Sequence, residues 1–247
     1  MDETIKMADA HAHLEAIPAF KAPPNFTIFT CGYSHESNVK NAEIAHSCKN
    51  TYASLGIAPQ TAQQYANLAE ELPKWCDFIR KSKPVAIGET GLDFHWGKTE
   101  ELKERQRTCF GEMITLAQEM RLPLVIHCRD AYKEVLDVLE SHSPLSFMLH
   151  CFSGNEKDAK RAVEMEGIIS IPPLPSAGRR KAIREVGISR LVAETDAPYI
   201  GKTPLDVVQS IRIISKELEI TEEEAAEKTC ENALRFYGIP GDVICQT

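Results

Sequence analysis

Short apolar runs alternate along this chain with longer stretches in which apolar positions recur at helical spacing. Eight runs read as strands: residues 5–12, 26–31, 51–57, 84–88, 122–126, 145–149, 168–171 and 190–193. Between them the spacing predicts helices over 36–49, 60–82, 99–120, 130–142, 155–166 and 177–187, with two more at 204–217 and 222–237. Two start signals support the last pair. Thr221 followed by Glu224 has the form of a capping box, and Thr203 before Pro204 that of an N-cap with proline at the first helical position. The first connection, through Pro18, Pro23 and Pro24, reads as irregular.

Strands alternating with helices are the pattern of βα units and a parallel sheet. No Gly/Ser-rich or low-complexity linker interrupts the alternation, so a single domain over residues 1–247 is the simpler reading. Eight units in about 250 residues favour an α/β fold closed as a single (β/α)8 TIM barrel, slightly distorted, over an open doubly wound sheet. No GxGxxG or GxxxxGK[ST] sequence follows any strand, so nucleotide-cofactor folds lose ground.

Composition narrows the setting rather than the reaction. Hydrophobic content of 43% and charged content of 26% suit an ordinary globular core. No apolar stretch approaches the ~20 residues needed to cross a bilayer. The start, with Asp2, Glu3 and Lys6, lacks the order of an export signal. A monomer in the cytoplasm, or the nucleus of a eukaryotic cell, is expected, with no membrane partner. The eight cysteines show no zinc-type spacing and read as reduced core residues. A net charge of −8 argues against a broad basic surface tracking many phosphates. A polyanionic substrate would have to be held by bound cations and a few local basic groups, through a short piece or an end.

Chemistry collects where strands finish. His11 and His13 stand two apart at the end of an apolar run. On a strand, positions i and i+2 share a face, so both rings can reach one ion; a solvated strand end is the alternative. Glu89 follows the fourth run, His127 the fifth and His150 the sixth, and Asp196 comes just after the eighth. A barrel opens all its C-terminal strand ends onto one face, so these six side chains would converge there. A lone strand-end histidine is usually a satisfied core residue. Six metal-competent groups at one mouth are not explained that way, because burying each without a partner costs about 2 kcal/mol or more. Four imidazoles and two carboxylates exceed one tetrahedral ion with an open position, which points to two divalent metal ions. Zn²⁺, Mn²⁺, Mg²⁺ or iron all suit this N/O set. Cys128 and Cys151 follow candidate ligands and should face the helices as packing.

The runs Asp9-Ala-His-Ala-His13, Ala86-Ile-Gly-Glu-Thr-Gly-Leu-Asp93, Val125-Ile-His-Cys-Arg-Asp-Ala131, His150-Cys-Phe-Ser-Gly154 and Glu194-Thr-Asp-Ala-Pro-Tyr199 resemble, in order and spacing, the TatD family of metal-dependent deoxyribonucleases, among the amidohydrolase-like TIM-barrel hydrolases. The similarity spans nearly the whole chain. It implies one ion on His11, His13 and Asp196, a second on His127 and His150, and Glu89 as a bridge. It also implies cleavage of DNA phosphodiesters, often from the 3′ end of a single strand. Two departures bear on substrate choice. Ala58-Pro59 stands where the family often has His-Pro, and Ile200-Gly201-Lys202 shortens the loop after Asp196.

In the mechanism this suggests, two cations activate a water and neutralise phosphoryl charge, with Asp196 taking the proton or serving only as a ligand. Arg129 holds a phosphate oxygen or pairs with a neighbouring acid. Asp93 and Glu194 would steer loops or ligand histidines. Phe94, His95, Trp96, Phe152 and Tyr199 offer rings for unpaired bases, or simply pack their loops. Lys98, Arg179, Arg180, Lys181 and Lys202 form a basic rim or a solvated helix start. The rivals are a metal-dependent amide or ester hydrolase, for example one acting on an aminoacyl ester, and a binding protein with weakened turnover.

Overall fold

The computed structural model describes residues 5–142 and 146–240. One parallel sheet takes its strands in chain order: β1 (Met7–Ala12), β2 (Phe26–Cys31), β3 (Thr51–Leu55), β4 (Ala86–Asp93), β5 (Leu124–Arg129), β6 (Phe147–Leu149), β7 (Ile168–Ile171) and β8 (Leu191–Ala193). The sheet curls until its ends meet. A parallel bridge joins Ala12 to Ala197, the His13 N–H donates to the Ala197 carbonyl at 2.8 Å, and the Asp196 N–H to the His11 carbonyl at 2.9 Å. Asp9 reinforces this seam, its carboxylate accepting from the Thr195 N–H at 2.9 Å and from the Thr195 hydroxyl. The expected (β/α)8 barrel is therefore present, nearly closed.

Its helices are α1 (His35–Ser47), α2 (Pro59–Gln64), α3 (Leu68–Ser82), α4 (Glu100–Met120), α5 (Tyr132–Ser141), α6 (Glu156–Glu164), α7 (Ala177–Val186), α8 (Val207–Leu218) and α9 (Glu222–Phe236). Between β1 and β2 only a 3₁₀ turn, Leu14–Ala16, forms, which fits the proline-rich connection and distorts the barrel there. Residues 60–82 hold two helices rather than the one expected. Tyr65 turns extended after α2, and its ring meets Trp75 edge-on at 4.8 Å, pinning the bend that an unbroken apolar periodicity conceals. The helix starts read from sequence are present: the Thr221 side chain accepts from the Glu224 N–H, and Asp206 accepts from the Thr203 N–H. Of the run at 145–149, Leu145 lies outside the described residues.

Packing divides along the strands with a period of two. Leu124, Ile126 and Cys128 of β5 join the layer between sheet and helices, with Phe110 and Leu136. Val125 joins a separate inner cluster with Ala8, Ala10, Phe29, Met148 and Val192, which Tyr237 after α9 closes off by donating to the Ala10 carbonyl at 2.9 Å. This alternation turns His127 inward and Cys128 outward.

Two ladder irregularities break the rhythm, and both lie on strands that carry candidate ligands. Between Asp9 and Ala12, β1 spends one more residue than β2; between Ile87 and Thr90, β4 spends one more than β5. Such a bulge re-aims the side chains beyond it. Ala8, Ala10 and Ala86 pack in the inner cluster before the extra residue, and His11, His13, Glu89 and Asp93 reach the mouth after it. The sequence reading ends the fourth strand at Gly88 and the fifth at Ile126. In the structure β4 continues to Asp93 and β5 to Arg129, so Glu89 and His127 lie within strands. Gly91, at φ +132°, allows the close pairing: a Cβ there would sit 2.1 Å from the His127 carbonyl oxygen.

Candidate metal centre

The fold brings all six sequence-selected donors to one end of the barrel. The His11 and His13 rings stand edge to face with their Nε2 atoms 3.2 Å apart, and the His11 ring stacks on His150 with centroids at 4.1 Å. Asp196 Oδ1 lies 3.2 Å from His13 Nε2 and 3.7 Å from His11 Nε2. His127 Nδ1 faces His150 Nε2 at 3.3 Å.

Glu89 stands at the centre, and its two oxygens divide the cluster. Oε2 lies 3.8 Å from His11 Nε2 and 3.7 Å from His13 Nε2. Oε1 lies 2.9 Å from His127 Nδ1 and 3.3 Å from His150 Nε2. Two overlapping triads have all their donor atoms within 4.8 Å of one another: His11, His13 and Asp196, and His11, Glu89 and His150. His11 belongs to both.

A second layer of contacts orients the rings. The His13 Nδ1–H donates to the Cys31 carbonyl at 2.8 Å, which directs Nε2 to the centre. His127 Nε2 lies 2.9 Å from Asp93 Oδ2, which also accepts from Gln60 Nε2 at 2.9 Å. Asp93 therefore fixes the outer proton of His127 and turns Nδ1 to the centre. Glu194 Oε2 is 3.9 Å from His150 Nδ1, and its other oxygen accepts from the Cys151 N–H.

This donor set fits divalent cations. Ring nitrogens 3.2–3.3 Å apart, both facing inward, have the spacing of ligands about 2.0 Å from a shared tetrahedral ion, which sit about 3.3 Å from each other. Burial, then the charges of His150 and His13, hold His11 well below the usual imidazole range, so it is neutral, the form that ligates. Burial would push Glu89 up, but His150 and His127 outweigh it and keep the carboxylate far below its usual range. Among the described residues His11 Nδ1, His150 Nδ1 and Glu194 Oε2 have no hydrogen-bond partner. A cluster so buried and so incompletely paired is costly without cations.

The cluster forms the floor of a cavity of about 580 Å³ whose walls include Tyr33, Ala58, Gln60, Arg129, Leu174 and Tyr199. Arg129 is exposed, its guanidinium 5.9 Å from the centre of the Trp96 ring. The structure sorts the five candidate rings. Phe152 is fully buried against Tyr132, Phe94 lies beneath Lys103 and Arg107, and His95 contacts Asp130, whereas Trp96 and Tyr199 are 59% and 60% exposed.

The basic rim is corrected at two positions. Arg179 is buried, donating to the Phe152 carbonyl at 2.6 Å and to the Leu174 carbonyl, and Arg180 lies 3.8 Å from Glu217. A helix start carrying three bases in a row gives no sign in the sequence that the first turns inward. Cys151 is corrected as well: it lies past the strand in a left-handed turn, φ +46°, half-buried on the cavity wall, so strand alternation does not govern it. Sequence reasoning missed Tyr33 and Gln60. Both follow C-terminal strand ends, the one signal available, but their residue types do not separate lining a site from packing a loop.

Comparison with known proteins agrees with this architecture. The family model described as TatD related DNase matches residues 8–238. The uncharacterized metal-dependent hydrolase YabD of Bacillus subtilis is 30% identical over 94% of this chain and 98% of its own. The deoxyribonuclease TATDN3 of Homo sapiens is 31% identical over 64% of this chain and 61% of its own. Among solved structures, the TatD homologue YjjV of Escherichia coli covers 95% of this chain and 98% of its own with a TM-score of 0.82 at 23% identity, a likeness of fold. With a family model matched over nearly its whole length, the chain belongs to the TatD-related DNase family of metal-dependent hydrolases.

Proposed function

We propose that this protein is a deoxyribonuclease that hydrolyses phosphodiester bonds at the 3′ end of a DNA strand, using two divalent ions held by His11, His13, Glu89, His127, His150 and Asp196. The observation that carries this reading is the division of Glu89, with one oxygen toward the His11 and His13 side and the other toward His127 and His150. A single-ion site has no use for a central carboxylate with both oxygens so employed. The substrate class is taken from the human relative named a deoxyribonuclease. Cations bound there would supply Lewis-acid polarisation of a phosphoryl oxygen and activation of water.

The chain's own groups do the rest. Asp196 lies beside His13 with its side chain 13% exposed to the cavity, placed to accept the proton of the attacking water. Arg129, at the rim against the Trp96 ring, holds a non-bridging phosphate oxygen. Asp93 keeps His127 in the tautomer whose Nδ1 faces the centre.

The test is to strip the protein of metals, add back Mg²⁺, Mn²⁺ or Zn²⁺ singly, and follow single-stranded DNA, RNA and a panel of small esters and amides, with Glu89→Ala as control. Cation-dependent release of nucleotides from DNA, lost in Glu89→Ala, is expected. Activity unchanged without any cation, or confined to the amides and esters, would overturn the proposal.

A further inference from the structure

Four large hydrophobic side chains stand out as exposed among the described residues: Trp96, Leu174, Tyr199 and Leu205. All four lie in segments that follow strands, Trp96 after β4, Leu174 after β7, and Tyr199 and Leu205 after β8. The exposed apolar surface is thus gathered on the rim above the candidate metal centre. Scattered singly, such residues need no explanation; here Leu174 and Tyr199 line the cavity, and Trp96 stands behind Arg129 of its wall, which marks a binding surface.

The two rings stand across the mouth from each other. In a ring of eight strands taken in order, β4 and β8 are four apart, so the loops that follow them lie on opposite sides. Each ring has a backing. The Tyr199 ring meets His13 edge-on at 5.0 Å, with its hydroxyl 3.5 Å from that of Tyr33. Trp96 carries the Arg129 guanidinium against its face, and its backbone N–H donates to Asp93 Oδ1 at 3.1 Å. One station therefore adjoins the His13 and Asp196 side of the cluster and the other the His127 side.

Among the described residues, the arginines lining the cavity are Arg129 and Arg179, and Arg179 is occupied by two carbonyls. With a net charge of −8, electrostatic tracking of a backbone is weak. A volume of about 580 Å³ is of small-molecule size and takes in about one or two nucleotides. Base faces are what remain to be gripped.

We propose that Trp96 and Tyr199 form a two-sided clamp that stacks unpaired bases on either side of the bond to be cleaved. This rests on the nuclease reading above. Stacking on an aromatic ring tolerates any base, so the clamp selects unpaired structure rather than sequence. Arg129, on the cavity wall and against the Trp96 ring, is then placed to meet the phosphate joining the two bases.

Oligonucleotides carrying an abasic residue on one or the other side of the cleaved bond provide the test. With intact DNA, Trp96→Ala and Tyr199→Leu each raise KM roughly tenfold, with a smaller change in kcat, and Trp96→Phe and Tyr199→Phe restore it. Each truncation becomes silent on the oligonucleotide that is abasic on its own side and keeps its penalty on the other. Unchanged KM, or penalties that persist on both abasic substrates, would overturn the clamp. Binding is read independently with an uncleavable phosphorothioate strand. The chain has two tryptophans, and Trp75 is buried, so quenching of the exposed fluorescence reports on Trp96. Quenching without cleavage in any cation would overturn the nuclease reading while supporting base stacking at Trp96; cleavage without quenching would overturn the clamp alone.

Discussion

The barrel mouth and the outer helical layer hold charge in opposite ways. On the outside, Lys81 meets Asp77 at 2.7 Å and Lys133 meets Asp137 at 2.6 Å, one helical turn apart and largely exposed. Such pairs form locally, stay hydrated, and contribute little. At the mouth, Glu89, Glu194 and three imidazoles, those of His11, His13 and His150, are withdrawn from water, with several of their atoms unpaired. Buried groups of this kind oppose folding unless something else binds them. The contrast separates charge that merely keeps a surface wet from charge retained at a cost, and retention at a cost is the physical mark of a site.

The sharpest way to break this contrast is to remove the carboxylate that both halves of the cluster share. Glu89→Ala should abolish hydrolysis while leaving the folded protein intact in the absence of cations. Wild-type protein in excess divalent cation, at about 100 times Kd, should gain about 2.7 kcal/mol, or about 5–10 °C in Tm for a chain of this size. The variant should lose most of that gain. An equal cation-induced rise in both proteins would show that the ions bind elsewhere.

A smaller effect is expected one layer out. Asp93 touches no inward-facing atom, yet it fixes the outer nitrogen of His127. Asp93→Ala should weaken cation binding and turnover by about 10- to 100-fold, as loss of an orienting partner does. Gln60→Ala, which removes a neutral amide 2.9 Å from Asp93 Oδ2 and 3.0 Å from His127 Nε2 but leaves the Asp93–His127 contact in place, should cost less. Cation titrations of the three proteins check the order, and an Asp93→Ala variant with wild-type affinity would remove Asp93 from the site.

The same layering explains what was legible beforehand. His11, His13, Glu89, His127, His150 and Asp196 could be picked from sequence because each carries metal-competent chemistry beside an apolar run, and a barrel gathers strand ends by construction. The means by which two of the strands aim them was hidden. The extra residues in β1 and β4 change which positions face inward, and an alternation rule read from sequence has no way to place a bulge. Strand ends failed at Glu89 and His127 for the related reason that polar inward residues look like the end of an apolar run. Gln60, Tyr33 and the inward turn of Arg179 depend on packing between segments far apart in the chain.

Buried thiols extend the comparison to a neutral group. Burial pushes the Cys76 thiol up to about 11 and Cys230 up to about 12, and raises Cys109 and Cys128 further. Their folded values lie above the unfolded thiol value near 9, so the folded state keeps protons that the unfolded chain gives up. Their contribution is therefore complete below about pH 9 and is lost as pH rises, through about 11 for Cys76. Thermal melts between pH 8 and 11 should show a falling Tm, and Cys109→Ala should reduce the slope while lowering Tm at neutral pH. A Tm independent of pH over that range would show that these thiols are hydrated.

The smallest expected effect tests the other side of the contrast. Lys81→Ala removes a well-formed ion pair on α3, but both partners are more than half exposed, and the attraction is offset by hydration and by the freedom of two side chains. Tm should move by no more than about 1 °C, and hydrolysis should not change. A double-mutant cycle with Asp77→Ala isolates the coupling. If that coupling proved as large as the effect of removing Asp93 on cation-free stability, exterior charge would be as costly to disturb as the charge at the mouth. Burial and incomplete pairing would then no longer set the cluster apart, and the case for the site would rest on donor spacing alone.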